Sequence, residues 1–144
     1  FYLEKGYIVD FVSFCEGQGD ERAIDRITAR MEKYGRIRKH CYHNNLKEIL
    51  ALFSSTQVVI GTRFHSIILG WVYGKKVLPI VYDKKTQNVL DDLGYCNYLK
   101  LEELSFCNPE DRLEKIHGLE DKVADQLARE SEEQFWAVDD WLKG

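Results

Sequence analysis

Between Gln57 and Tyr82 the chain spells a strand, a helix and a second strand, and this triplet restricts the fold more than any other feature. "QVVIG" is a short run of β-branched residues. "HSIILGWVYG" has helical length and closes on Gly74, and "KVLPIVY" is again strand-like. Two strands joined through a helix pair in parallel by a crossover. The same alternation runs along most of the sequence. "YIVDFVSFC" reads as a strand buried on both faces. "ERAIDRITARMEKYG" follows with Asp20 as its N-cap, Ala23, Ile24, Ile27 and Met31 at helical spacing, and Gly35 as its stop. "RIRKHCY" is a short strand candidate and "NNLKEILALFSST" an Asn-capped helix. "TQNVLDDLG" reads as a helix capped at Thr86, "YLK" as a last strand, and Asn108-Pro109 as a helix start. A long acidic helix is expected over 119–143, with Leu119, Val123, Leu127, Gln134, Val138 and Leu142 along one face. The fold class is therefore α/β, a Rossmann-like parallel sheet with helices on both faces. Residues 1–144 read as one such domain. Gly6 resembles the terminator of a helix whose start lies upstream, and a short strand lacking its own start is the alternative. The first reading implies a fragment of a longer chain.

The central helix has a costly entrance. The apolar run ending at Gly61 is interrupted by Arg63-Phe64-His65 before apolar residues resume. In parallel α/β sheets, ligands sit at the carboxyl ends of strands, beside helix N-termini, so the loops at 16–21, 61–66 and 82–86 are the places to seek chemistry. At the second of these, free amides and the helix dipole favour an anion. Arg63 offers a guanidinium fork, and His65 a group able to move a proton near neutral pH. An Arg63 salt bridge and a His65 bond to a backbone carbonyl would account for the same residues structurally. Lys84 and Lys85 fit either an anion contact or a solvated turn. "EGQGDE", with Gly19, lacks both the dinucleotide fingerprint and the P-loop lysine, although its glycines permit close backbone approach.

Composition bounds the remaining classes. With 44% hydrophobic and 12% aromatic residues the chain belongs among folded proteins. A formal charge of −4 supplies no global field for nucleic acid. Apolar runs are too short and too often broken by charge to form a transmembrane segment. Glu4 and Lys5 after only three residues do not read as a secretory leader. Cys15, Cys41, Cys96 and Cys107 contain no C-x-x-C pair. They read as reduced, mostly buried thiols of a cytoplasmic protein. His40, Cys41 and His43 lie close together, but no second ligand cluster completes a site, so no metal is expected.

The segment "VVIGTRFHSIILGWVYGKKVLPIVYDKKTQNVLDDLG", with "VSFCEGQGDERAI" upstream, resembles the C-terminal half of the polysaccharide pyruvyl transferase family. The resemblance covers most of 7–100 and rests on an R-[FLM]-H tripeptide at a strand end, a following helix containing small residues, and a later Y-D-x-K. It implies a two-domain, GT-B-like enzyme whose other, N-terminal, half lies outside this chain. It implies transfer of a pyruvyl group from phosphoenolpyruvate to a sugar of a cell-surface polysaccharide or its lipid-linked precursor, at or near the inner face of the membrane. Carried over by position, Arg63 and His65 are the catalytic candidates, and Arg63, Phe64, His65, Ser66, Lys84 and Gly19 the substrate-binding ones. Phosphoenolpyruvate is a substrate, and no cofactor is implied. The alternatives are a nucleotide-sugar glycosyltransferase of GT-B type and a non-catalytic anion-binding domain.

Overall fold

The computed structural model describes residues 1–119, 123–125 and 129–130. The described strands are β1 (Val9–Ser13), β2 (Ile37–Cys41), β3 (Val58–Gly61), β4 (Lys76–Val81) and β5 (Leu99–Lys100). The helices are α1 (Asp20–Thr28), α2 (Leu46–Ser55), α3 (Phe64–Val72), α4 (Lys84–Asp92) and α5 (Pro109–Glu114). Every strand pair is parallel, as the alternation requires. The pairs form two sheets, β1-β2 and β3-β4-β5, where the sequence suggested one. Pairing is local: each strand bonds to its neighbour in the chain across one crossover. Two compact units result, Phe1–Ser55 and Thr56–Gly144.

In the first unit β1 and β2 run in register from Val9 opposite Ile37 to Ser13 opposite Cys41. β1 is half-buried along most of its length instead of buried on both faces. Its Asp10 explains part of this, because the carboxylate takes a two-pronged bond from Arg38, its register partner, at 2.6 and 2.7 Å. Its Oδ1 also lies 2.7 Å from His40 Nε2. α1 is shorter than expected, ending at Thr28, whose hydroxyl donates back to the Ile24 carbonyl at 2.9 Å. Gly35 instead closes a separate 3₁₀ turn, Glu32–Tyr34. Ile49 and Phe53 bury the inner face of α2, and Phe53 meets the ring of Phe14 at 6.1 Å.

In the second unit β4 is the central strand. Val77, Leu78 and Pro79 are buried in succession, so both faces of β4 are covered, which is why it reads as an unbroken apolar run. Leu78 joins Leu99 and Ile116 in a core cluster with Val58, Leu104, Cys107 and Leu113 against it. The opposite face carries α3, seated over β3 and β4. Val59 and Gly61 are buried on β3, while the intervening Ile60 is 45% exposed. Pro79 lacks an amide proton, and it lies where the β3 ladder ends at Gly61 and the β5 ladder begins at Ile80. Its missing donor therefore falls at a seam between ladders. Tyr95 ties the unit together, donating its hydroxyl to the Val77 carbonyl at 2.6 Å.

One further expectation changes. Cys15, Cys41 and Cys107 are half-buried and Cys96 is exposed, so none is a fully buried thiol. They sit at strand ends and in loops, where even Cys107, which packs against the core cluster, keeps some exposure. Most of the helix expected over 119–143 falls outside the described residues; 123–125 and 129–130 are helical. No helix among the described residues is long and apolar enough to cross a membrane.

Candidate functional site

Because β3 and β4 are adjacent and parallel, their carboxyl ends lie on one edge, and the helices that follow both begin there. α3 starts from Arg63 as N-cap, with φ −92° and ψ 132°, and α4 starts from Asp83. Two helix N-termini thus bring their amide ends and positive dipole ends to the same edge of the sheet. The sequence around them adds Arg63, Lys84 and Lys85 against the single carboxylate of Asp83.

The turn into α3 is held from within. The Arg63 carbonyl accepts from the amides of Ser66 at 2.9 Å and Ile67 at 3.3 Å. The Ser66 hydroxyl donates to the same oxygen at 2.6 Å. Ser66 is buried, so in this structure its hydroxyl fixes the helix entrance. Gly61 is needed just upstream. A Cβ there would stand 2.8 Å from both Ile67 Cγ1 and Ser66 Oγ, so any side chain would push α3 off the end of β3.

With the entrance fixed, Arg63 is half-buried, and its Nη1 donates to the Tyr82 hydroxyl at 3.3 Å, bridging the ends of β3 and β4. Tyr82 is half-exposed. Phe64, the first residue of α3, is half-buried, with its ring edge-on to that of His65 at 6.2 Å. His65 is exposed, leaving its imidazole open to a ligand. The amides of Phe64 and His65 are the first two of the helix and have no partner within it. Lys84, the first residue of α4, is exposed.

The cap of α4 corrects the sequence reading. Asp83, not Thr86, is the N-cap, accepting from the Thr86 amide at 2.8 Å and the Thr86 hydroxyl at 3.0 Å. Thr86 is buried inside the first turn. Asp20 is likewise not the cap of α1 but its first residue, after Gly19 at φ 79°. Its Oδ2 accepts from the amides of Phe14 at 3.3 Å and Cys15 at 3.2 Å, fastening α1 to the end of β1. Of the six substrate-binding candidates, the structure gathers Arg63, Phe64, His65, Ser66 and Lys84 at the β3–β4 edge, whereas Gly19 belongs to the first unit. Sequence reasoning missed Tyr82 as the partner of Arg63. Its signals were its place in the 82–86 loop and in the Y-D-x-K motif, neither of which tied it to Arg63.

The groups gathered at this edge are those that anion chemistry calls for. A guanidinium, two helix amides and a lysine are suited to phosphate and carboxylate oxygens, and an exposed imidazole beside them can deliver or take a proton.

Comparison with known proteins places this geometry in context. The family model described as polysaccharide pyruvyl transferase matches residues 1–84, which include Arg63-Phe64-His65 and end at Lys84. An amylovoran biosynthesis protein of Erwinia amylovora, AmsJ, is 29% identical over 97 residues. That match covers 64% of this chain and 23% of AmsJ. No solved structure matches the chain significantly.

Proposed function

We propose a function from one premise: this chain belongs to the polysaccharide pyruvyl transferase family. In this reading the β3–β4 edge is the donor pocket of an enzyme that moves a pyruvyl group from phosphoenolpyruvate to a sugar of a cell-surface polysaccharide or its precursor. Residues 1–144 are then the donor-side domain of a GT-B-like enzyme, and a further α/β half contributes acceptor contacts. A phosphoenolpyruvate donor suits a cytoplasmic location at the inner face of the membrane. The relative's part in amylovoran biosynthesis supports a biosynthetic role.

The observation that carries the reading is the Arg63 guanidinium at the entrance to α3, with the Tyr82 hydroxyl at 3.3 Å. Phosphoenolpyruvate has a phosphate and a carboxylate, which call for such a fork and for helix amides. His65 acts as the general acid that protonates the methylene carbon. The carbon bearing the phosphoryl oxygen becomes oxocarbenium-like, and one sugar hydroxyl adds to it, losing its proton. Phosphate leaves with the C–O bonding pair, and a second hydroxyl closes the ketal, giving up its proton to the departing phosphate. Arg63 and Lys84 neutralise the departing phosphate.

The test uses the complete protein. Phosphoenolpyruvate should raise its melting temperature where nucleotide-sugars do not. Arg63→Ala should weaken phosphoenolpyruvate binding about 10- to 100-fold, the loss of one charge-assisted contact. His65→Ala should leave binding within a few-fold and slow transfer about 10²- to 10⁴-fold. Full transfer by both variants, or stabilisation by nucleotide-sugars alone, would overturn the proposal.

A further inference from the structure

At the carboxyl edge of the β1–β2 sheet, three side chains of different chemistry converge: Glu21, Cys41 and His43. Their ligand atoms all lie within 4.8 Å of one another. The approach is built by the backbone. The Asp20 carboxylate fastens the first turn of α1 to the amides of Phe14 and Cys15, which sets Glu21 at this edge. Beyond β2, the Tyr42 amide donates to the Ser13 carbonyl at 2.9 Å, keeping the chain alongside β1. The His43 amide then donates to Asn45 Oδ1 at 2.9 Å, and Asn44 turns in the left-handed region at φ 62°. His43 Nε2 consequently stands 3.7 Å from Glu21 Oε1.

A second observation points to a ligand. Glu21 Oε1 is itself buried and has no hydrogen-bond partner among the described residues. A buried carboxylate oxygen is costly unless a donor or a cation faces it. At 3.7 Å a protonated His43 would pair with that oxygen by charge, but the imidazole is beyond hydrogen-bond reach. A cation placed among the three atoms engages them all.

We propose that Glu21, Cys41 and His43 form a binding site for a zinc-class divalent cation, with the fourth position open to water. The donor set of one thiolate, one imidazole and one carboxylate suits zinc and disfavours calcium or magnesium. In a tetrahedral zinc site with ordinary bond lengths, neighbouring ligand atoms are about 3.3–3.6 Å apart. Glu21 and His43 are already near that separation, and side-chain rotation of about 1 Å closes the rest. Binding displaces the Cys41 thiol proton to solvent, and the cation then clamps the start of α1 to the end of β2. His43 is largely exposed, which leaves the water position accessible. The site shares no residue with the donor pocket, so the two proposals stand or fall separately.

The test is titration of the reduced full chain with cobalt(II), followed by displacement with zinc(II). One equivalent should bind, with a thiolate-to-cobalt charge-transfer band and tetrahedral d–d absorption. Zinc should abolish both and raise the melting temperature. Glu21→Gln, Cys41→Ser and His43→Ala should each weaken binding at least about tenfold, while Cys96→Ser should change nothing. The charge-transfer band in the wild-type chain decides the matter even where a variant fails to fold. Its absence at saturating cobalt, or wild-type affinity in all three variants, overturns the site.

Discussion

Gly70 lets α3 lie close against the sheet, and the consequence can be worked through for Gly70→Ala. The new Cβ would stand 2.7 Å from Val77 Cγ2 and 3.3 Å from Cβ and Cγ2 of Val59. Ordinary carbon contacts are about 3.5–4.0 Å, so the first approach is short by roughly 1 Å. Val77 is fully buried and cannot easily yield. Its amide donates to the His117 carbonyl at 3.1 Å, and its carbonyl accepts from the Tyr95 hydroxyl at 2.6 Å. Alanine gains about 1 kcal/mol over glycine inside a helix, and overpacking of this kind costs about 1–3 kcal/mol. The net expectation is a loss of about 1 kcal/mol, with α3 displaced outward and Arg63 carried with it. Hydrogen exchange in β3 and β4 should accelerate about fivefold under conditions where exchange follows opening. Val77→Ala removes the opposing methyl. In that background Gly70→Ala should become neutral or stabilising, a coupling of about 1–2 kcal/mol. An intrinsic gain in stability from Gly70→Ala alone, or an unchanged cost beside Val77→Ala, would refute the proposed contact.

Two other perturbations test the frame around the sites. Asp83→Ala removes the cap of α4 and should destabilise the second unit by about 0.5–2 kcal/mol, measured by exchange of the α4 amides; Asp83→Asn should recover part of the loss. Burial pushes the Asp10 carboxyl up, but the Arg38 fork and the His40 contact outweigh it and hold the group below the usual carboxylate range. Its stabilisation is therefore present above the ordinary unfolded value of about 4 and is lost as pH falls through the lower folded value. Asp10→Asn should be less stable than wild type in urea melts at neutral pH, with the difference shrinking towards strongly acidic pH; a constant difference across that range would show that charge is not the cause.

Much of the frame was legible because it depends on local pattern. The β-branched runs at 58–61 and 76–81, with a helical stretch between them, leave a parallel crossover as the economical solution, and the structure has it. Gly74 and Gly94 follow α3 and α4 with left-handed backbones, as expected of helix stops. Caps were less legible. Asp83 and Thr86 are both good capping residues, and Asp20 fits a cap as well as the first helical turn. The choice between such roles depends on which nearby amides lack partners, which sequence does not display.

The sequence by itself determined the order of elements, their parallel pairing and the placing of Arg63-Phe64-His65 at a strand-to-helix junction. Each follows from side-chain periodicity over a few residues. Only the tertiary structure decided that the strands divide into two sheets, and that Tyr82 reaches across from β4 to the Arg63 guanidinium. It also decided that Glu21 meets Cys41 and His43, although 20 positions separate Glu21 from Cys41. His40, the closer neighbour in sequence, is engaged with Asp10 instead. The reason is geometric: alternate strand residues point to opposite faces, while a crossover helix starts at the edge where the preceding strand ends. Which side chains share an edge is set by strand register, a property of pairing between segments that no single segment encodes.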